Sequence, residues 1–499
     1  MLENLQLGLL TFFHWSNIFA VFTGVTIGIF IGAVPGLTAT MSVALLVPLT
    51  FKMNPVAGLA MLIGVYKGGI YGGSVTAILI NTPGTPAAAA TALDGYPLAK
   101  RGKALKALKM AIYASVIADL FSDIVLILVA APLAIIALKL GPPELTTLLL
   151  LALTIVGMVS GKSLLKGLLV ASLGLLFSTV GMDHMTGTLR FAFGSLEMAK
   201  GFPLIPVLIG LFAIPEILVQ VEKKLAGTEN VALKKSPRAE DNRVSLQELR
   251  NCSKTIFRSA IVGTFIGAIP GIGSVISAFI SYGMAKRGAK HPDEFGNGSL
   301  EGVAAAEAGN NAVCGATLIP LLTLGIPGDS ITAVMLGAFL IQGLVPGPEL
   351  IGQHSAVIYG LFFALIVGNV SNFAIAHVGI RFFARVASAS KTIVFPTVAV
   401  LCMVGSYAVQ NSLFDVRSML FFGILGYFMR KFRYPIPPFL IAFILGPMVE
   451  DRLRQSLIIS GGSPAIFFTN YISLIFVSIT VFTIFIMIWK NVKVKSTTI

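Results

Sequence analysis

The chain has 499 residues, of which 56% are apolar and only 12% charged. A soluble globular domain carries about 25% charged residues, so a soluble fold is excluded, and apolar runs such as 465–489 are long enough to span a bilayer core of about 30 Å as helix. The net charge of +14, which in a soluble protein points to nucleic acid, marks in a membrane protein cytoplasmic loops weighted with Lys and Arg. Cys252, Cys314 and Cys402 are scattered without CxxC spacing, which gives neither a disulfide framework nor a zinc site.

Residues 1–17 carry no basic residue and no small-residue cleavage site, so no removable signal peptide is expected. Residues 17–221 read as one repeat unit. Its first apolar stretch carries Gly24, Gly28, Gly32 and Gly36 on one helix face, a helix-packing pattern. The stretch is broken at Pro35-Gly36, where proline removes a helix donor and glycine frees the backbone. Thr38, Thr40 and Ser42 follow. In the next stretch, Tyr66-Lys67-Gly68-Gly69-Ile70-Tyr71-Gly72-Gly73-Ser74, Lys67 has to be placed well inside the membrane, where charge is costly and usually functional. It reads equally as a cationic partner for a bound anion and as a lysine that snorkels to the interface or pairs with a buried acid. A second break, Asn81-Thr82-Pro83-Gly84-Thr85, precedes the basic run Lys100, Arg101, Lys103, Lys106 and Lys109. Asp119 and Asp123, four apart in an apolar helix, either bind a coupling Na⁺ or H⁺ or simply face a polar seam or the membrane interface. Gly157 to Ser163 imitates a P-loop with one residue too few between its glycines, so ATP hydrolysis is not expected. Phe202-Pro203-Leu204-Ile205-Pro206, then Pro215, close the unit.

Residues 222–258 form a long polar, basic linker, which the positive-inside rule places in the cytoplasm. Over 259–455 the unit returns. The run from Gly28 to Gly36 matches that from Gly263 to Gly271; Asn81 to Thr85 matches Gly325-Ile326-Pro327-Gly328-Asp329; and Phe202 to Pro206 matches Tyr434 to Pro438, with Pro447 opposite Pro215. Three landmarks in constant order and near-constant spacing identify an internal repeat. Ser274, Ser277, Ser330 and Thr332 surround the second pair of breaks, and Glu307, Asn310 and Asn311 stand opposite the Lys67 stretch. Residues 465–489 add a C-terminal transmembrane helix.

Charge orients the two copies. The basic run after Pro83-Gly84 lies opposite 346–354, which has no Lys or Arg. Lys162 and Lys166 lie opposite Gln410 and Phe414, and Arg430, Lys431 and Arg433 lie opposite neutral residues before Phe202. One basic and one bare member per pair marks repeats of inverted topology, with a periplasmic N-terminus and a cytoplasmic C-terminus. The apolar limbs flanking Pro270-Gly271, 256–269 and 272–285, are each too short to cross the core at about 1.5 Å per residue. Both outer ends are basic (Lys254 and Arg258, Lys286 and Arg287). A re-entrant hairpin is therefore expected there, mirrored by one at Pro35-Gly36; the alternative, a single kinked spanning helix, would put Lys286 outside and weaken the charge skew. The predicted fold is an all-α polytopic membrane protein of two inverted-topology repeats with re-entrant hairpins and Pro-Gly-broken helices.

Half-helices that start after such breaks aim free N–H groups and the positive dipole end inward, which suits a carboxylate; the carbonyl ends of the preceding half-helices suit a coupling cation. The candidate substrate-binding residues are Pro35, Gly36, Thr38, Thr40, Lys67, Asn81, Thr82, Gly84, Thr85, Gly271, Ser274, Asn310, Asn311, Gly328, Asp329 and Ser330. Asp329, Asp119 and Asp123 are candidate coupling-cation groups; no firm metal site and no cofactor are expected. Two hairpins meeting two broken helices form a unit able to slide against the remaining helices, an elevator-like motion.

Gly32-Ala33-Val34-Pro35-Gly36-Leu37, Tyr71-Gly72-Gly73-Ser74, Asn81-Thr82-Pro83-Gly84-Thr85-Pro86 and Leu93-Asp94-Gly95-Tyr96-Pro97-Leu98 resemble the large membrane subunit of the bacterial tripartite tricarboxylate transporters, and the resemblance covers nearly the whole chain. It implies secondary active uptake of a tricarboxylate or related organic acid, driven by a Na⁺ or H⁺ gradient, in the bacterial inner membrane. It also implies a small membrane subunit and a periplasmic substrate-binding protein as partners, with no ATPase and no nucleic acid. An organic-anion channel is the alternative reading. An intramembrane hydrolase, raised by His354 and His377 among many serines, is a distant one.

Overall fold

The computed structural model describes residues 2–159, 163–222, 236, 238–387 and 391–496. Most of the predicted linker before residue 238, and Lys162 with the centre of the P-loop-like run, lie outside the described residues. The first half comprises α1 (Leu2–Phe12), α2 (Trp15–Gly32), α3 (Ala39–Thr50), α4 (Pro55–Ile80), α5 (Ala88–Lys100), α6 (Ala104–Ala137), α7 (Pro142–Val159) and α8 (Leu164–Ser178). A short antiparallel ribbon follows, β1 (Gly181–Met182) with β2 (Leu189–Arg190), then α9 (Leu204–Phe212) and α10 (Ile214–Glu222). The second half comprises α11 (Leu246–Gly267), α12 (Gly273–Gly288), α13 (Leu300–Asn311), α14 (Val313–Ala316), α15 (Leu318–Leu324), α16 (Ser330–Ile341), α17 (Leu350–Gln353), α18 (Ser355–Val386), α19 (Lys391–Gln410), α20 (Leu413–Lys431) and α21 (Ile436–Ile459). The chain ends in α22 (Ile466–Thr469) and α23 (Tyr471–Ser496). Among the described residues six helical spans are long and apolar enough to cross a membrane, one of them formed by α9 and α10 together. The protein is an all-α polytopic membrane protein.

Glycine contacts give the direction of each helix. Gly24 lies against Met61, Gly28 against Val65 and Gly32 against Gly69, so α2 and α4 run parallel and α3 returns the chain between them. A methyl group on Gly24 would stand 2.1 Å from the Met61 carbonyl oxygen, which is why small residues line this seam. In the second half, Gly263 lies against Gly309 and Gly267 against Val313, again parallel. Gly309 meets Ser277 and Gly302 meets Tyr282, so α12 runs back antiparallel, and the Arg258 guanidinium lies against Gly288. Both Pro-Gly tips are thus hairpin turns. Helix α11 begins at Leu246, inside the stretch expected as linker. A Ser245–Glu248 capping box starts it and Lys106 holds Glu248 at 2.6 Å, so this limb is longer than its 14 apolar residues implied.

The halves are inverted. Tyr66 meets Thr317 and Ser74 meets Glu307, so α4 runs antiparallel to its counterpart α13–α15. Lys166, at the start of α8, donates to the carbonyl of Phe432, just past the end of α20. Those two basic ends therefore share a face, as the charge pattern required. The helices sort into two groups, α2–α6 with α11–α18 and α7–α10 with α19–α21. The groups meet chiefly where α3 and α16 pack on α9, α19 and α21. The counterpart of α3, α12, instead exposes Val275, Phe279, Ile280 and Met284.

Candidate functional site

Helix α4 ends at Asn81 in the left-handed conformation (φ 52°), and α15 ends at Gly325 in the same conformation (φ 72°). Gly and Asn are the residues that tolerate this cap. Pro83 and Pro327 follow two residues later and stop the helix from resuming at once. Helix α5 begins after Thr85, whose Oγ1 accepts from the Ala88 N–H at 3.4 Å. Helix α16 begins after Asp329 in a capping box with Thr332. At the hairpin tips, Gly36 and Gly271 adopt positive φ (97° and 85°), and α3 and α12 start two or three residues later. Thr38 caps α3 by accepting from Met41 N–H at 3.2 Å, whereas α12 has no side-chain cap.

The N-terminal ends of these four helices, two from each half, surround one cavity of about 350 Å³, within the ~300–1,000 Å³ range of small-molecule sites. Thr38, Thr40, Thr85, Ser274, Ser330 and Asp329 supply its polar lining, Gly271 lines it as well, and Pro437 and Ile441 of α21 form its wall on the second helix group. The Asp329 carboxylate is already committed. Its Oδ1 accepts from the N–H and hydroxyl of Thr332, and its Oδ2 accepts from the Tyr66 hydroxyl at 3.0 Å. The Asp329 carboxylate caps α16, while the N-terminal ends of α3, α5 and α12, the last without a side-chain cap, aim their positive dipole ends at the cavity, which suits an anion. The tip of the second hairpin is tied to the break opposite it, with Gly271 N–H donating to Gly328 carbonyl at 2.7 Å.

Other expected site residues are placed elsewhere. Lys67 is fully buried and donates to Asp119 at 2.7 Å and to Asp123 at 2.8 Å; its ammonium is spent on these acids rather than turned to the cavity. Asn311 donates to Ser115 and Glu307, and Glu307 further accepts from Ser74, Thr91 and Ser115. This knot of hydroxyls joins the two halves. Asn310 is buried, with neither side-chain atom hydrogen-bonded among the described residues. Asn81 and Thr82 are exposed at the end of α4. Pro35 is buried, and Gly36 faces Glu216, Gln220 and Phe395. Gly84 packs on Gly32 and Gly73, and Gly328 packs on Thr317. These four shape the breaks and do not line the cavity.

Three groups were not singled out from sequence. Tyr66 donates to Asp329 and its hydroxyl also meets Thr317; the phenol lies beside Lys67 in a motif whose evident signals were its lysine and glycines. Asp94 is buried and accepts from the N–H groups of Gly296, Gly298 and Ser299 at 2.8 Å each and from Tyr282, so it seats the start of α13 on α5. Asn369 of α18 donates to Asp123; the polar cluster Asn369, Ser371 and Asn372 within an apolar helix was the available signal.

Across the whole chain, a relative from Agrobacterium vitis, described as an uncharacterized 52.8 kDa protein in the TAR-I ttuC' 3'region, is 36% identical over 99% of this chain and 98% of its own. A second Agrobacterium vitis protein, from the TAR-II ttuC' 3'region, is 37% identical over 42% of this chain and 87% of its own. No solved structure matches. The model of the tripartite tricarboxylate transporter TctA family matches residues 18–441, from within α2 to within α21 and so through both hairpins, both breaks and the cavity between them. The chain therefore belongs to the tripartite tricarboxylate transporter TctA family.

Proposed function

We propose that the chain is the permease subunit of a secondary active transporter that imports a tricarboxylate or related organic acid, driven by a cation gradient and fed by a periplasmic binding protein. The observation that carries this reading is the single cavity in which N-terminal helix ends from both inverted halves converge. The carboxylates of the substrate sit on the first turns of α12, α5 and α3, and the Thr and Ser hydroxyls orient them. A small membrane subunit completes the complex. The N-terminus is periplasmic and the C-terminus cytoplasmic, in keeping with the face that gathers Lys103, Lys106, Asp241, Glu248 and Lys166 beside Phe432.

An elevator-like motion is supported by the asymmetry between the helix groups. The two hairpin tips lie against Phe395, near the start of α19, and Val156, near the end of α7. Because α7 and α19 run oppositely in an inverted repeat, both contacts are at the basic end of the second group. The first group thus sits low, which leaves the apolar face of α12 uncovered.

The test is uptake of a panel of labelled tri-, di- and aromatic carboxylates by proteoliposomes holding the complex, with and without Na⁺ and pH gradients. Gradient-dependent uptake that requires the binding protein is expected. Flux independent of both makes the protein a channel.

A further inference from the structure

The Lys67 cluster is buried within the first helix group and has an unbalanced composition. Lys67 Nζ bridges Asp119 Oδ2 and Asp123 Oδ2, with side chains no more than 2% exposed. Asn369 Nδ2 is a second donor to Asp123 Oδ2, at 2.6 Å. Two carboxylates against one ammonium leave one negative charge in excess, and a buried charge without a counterpart is expensive. A second observation is independent of that count. Asp119 Oδ1, Asp123 Oδ1 and Asn369 Oδ1 are all buried with no hydrogen-bond partner among the described residues. Carboxylate and amide oxygens are acceptors, so the cluster is short of both a donor and a positive charge. A single proton supplies both.

A sodium ion fits less well. It needs a shell of oxygen ligands, yet Asp123 Oδ1 is pressed on Gly315, where a methyl would stand 2.5 Å away. The position between the two carboxylates already holds the ammonium. The titratable groups facing the cluster are Lys67 of α4, Asp119 and Asp123 of α6, and the buried Cys314 thiol of α14; α18 contributes the neutral Asn369.

We propose that Lys67, Asp119, Asp123 and Asn369 form the proton-coupling site of the transporter, an inference that rests on the transport reading above. One carboxylate oxygen forms an O–H bond with a proton taken from hydronium on one side, leaving water, and that bond breaks to return the proton to water on the other side; no other bond changes. The cluster communicates with the cavity through adjacent residues. Tyr66, next to Lys67, donates to Asp329 on the cavity wall, and Thr317, one helical turn from Cys314, meets the same phenol. Substrate-driven movement of Asp329 is thereby passed to the turn of α4 that carries Lys67.

The test uses the full chain with its native partner subunits in liposomes. Infrared difference spectra between acid and alkaline pH should show one carboxylic acid band, slow to exchange with deuterium, that is lost in both Asp119→Asn and Asp123→Asn. Each substitution leaves a balanced lysine–carboxylate pair, so both variants should fold; if they do not, Asn369→Ala, which removes no charge, should still shift the band. Absence of the band, or its persistence unchanged in all three variants, overturns the proposal. So does a band abolished at fixed pH by exchanging K⁺ for Na⁺, which makes sodium the occupant. In the same vesicles, stimulation of uptake by a pH gradient should fall at least tenfold in the Asp variants. Full stimulation in both sinks the cluster and leaves transport standing, whereas a wild type that moves no acid in the panel sinks the transport reading while the spectra still report on the cluster.

Discussion

Thr85, Ser274 and Ser330 sit in or just before the first turns of α5, α12 and α16, so each hydroxyl is offered beside backbone N–H groups at the cavity. A hydrogen bond to a charged group is worth about 1.5–3 kcal/mol, and about 1.4 kcal/mol is tenfold in affinity. Alanine at any one of the three should lower uptake at limiting substrate about tenfold or more, with membrane expression unchanged; normal uptake in all three assigns the cavity another role. On the opposite face from the basic loops, Asp183 illustrates a purely structural charge. Burial pushes its carboxyl up, but the N–H groups of Met185 and Thr186 and the Arg454 guanidinium outweigh this and hold it well below the usual carboxylate range. Because its folded value is depressed, its contribution is complete above about pH 4, where the unfolded carboxyl titrates, and is lost as the pH falls further. Loop 183–200 should become susceptible to an acid-active protease below about pH 4. Arg454→Met should weaken the same clamp at neutral pH, read as faster nicking of that loop.

Helices α2 and α4 interlock through glycines on both partners, with Gly64, Gly68 and Gly72 fitted against α2 as Gly24, Gly28 and Gly32 are fitted against α4. The four-residue glycine pattern on α2 was legible as packing, and three of its members pack so; Gly36 instead makes the tip turn. Leucine at Gly28 or Gly68 has no space without displacing backbone. Overpacking of this kind costs on the order of 1–3 kcal/mol or more, so both variants should show a lower melting temperature in detergent extracts. An unchanged value would mean that the seam is looser than the contacts require. The hairpins were readable from apolar limb length and flanking charge. The full length of α11 was missed although Ser245 and Glu248 form a capping box that is a local start signal; its first turns are polar, amphipathic and held by Lys106 of α6, so apolar length alone does not include them.

Taken as a whole, the molecule has two inverted halves arranged unsymmetrically. In the proposed elevator-like motion, exchanging the two arrangements gives the opposite state, in which the second hairpin tip, now at Val156, moves to the other end of α7 near Thr147, the position corresponding to Phe395. A cysteine pair at Ile272 and Val156 should cross-link in the resting protein. A pair at Ile272 and Thr147 should do so only in a population driven to the other state, and each bridge should stop uptake. Uptake undiminished by either bridge removes the sliding motion while leaving the hairpins intact.

Membrane class, the two-fold repetition, its inversion, the Pro-Gly breaks and the family resemblance were all legible from residues alone, because hydropathy, loop charge and helix-breaking chemistry act locally along the chain. The gathering of Thr38, Thr85, Ser274 and Asp329 at one cavity followed from the same logic, since matched breaks in inverted halves are brought to a common depth. Lys67 was left open between substrate and buried acid because the two readings differ only in what lies across a helix interface. Tertiary packing resolved where it goes, bringing α6 and α18 to α4 so that two aspartates and an amide meet one lysine. The roles of Asn311 and Glu307 were hidden for the same reason. A buried polar group is defined by its partners, and here those partners are 190 or more residues away on the other inverted half.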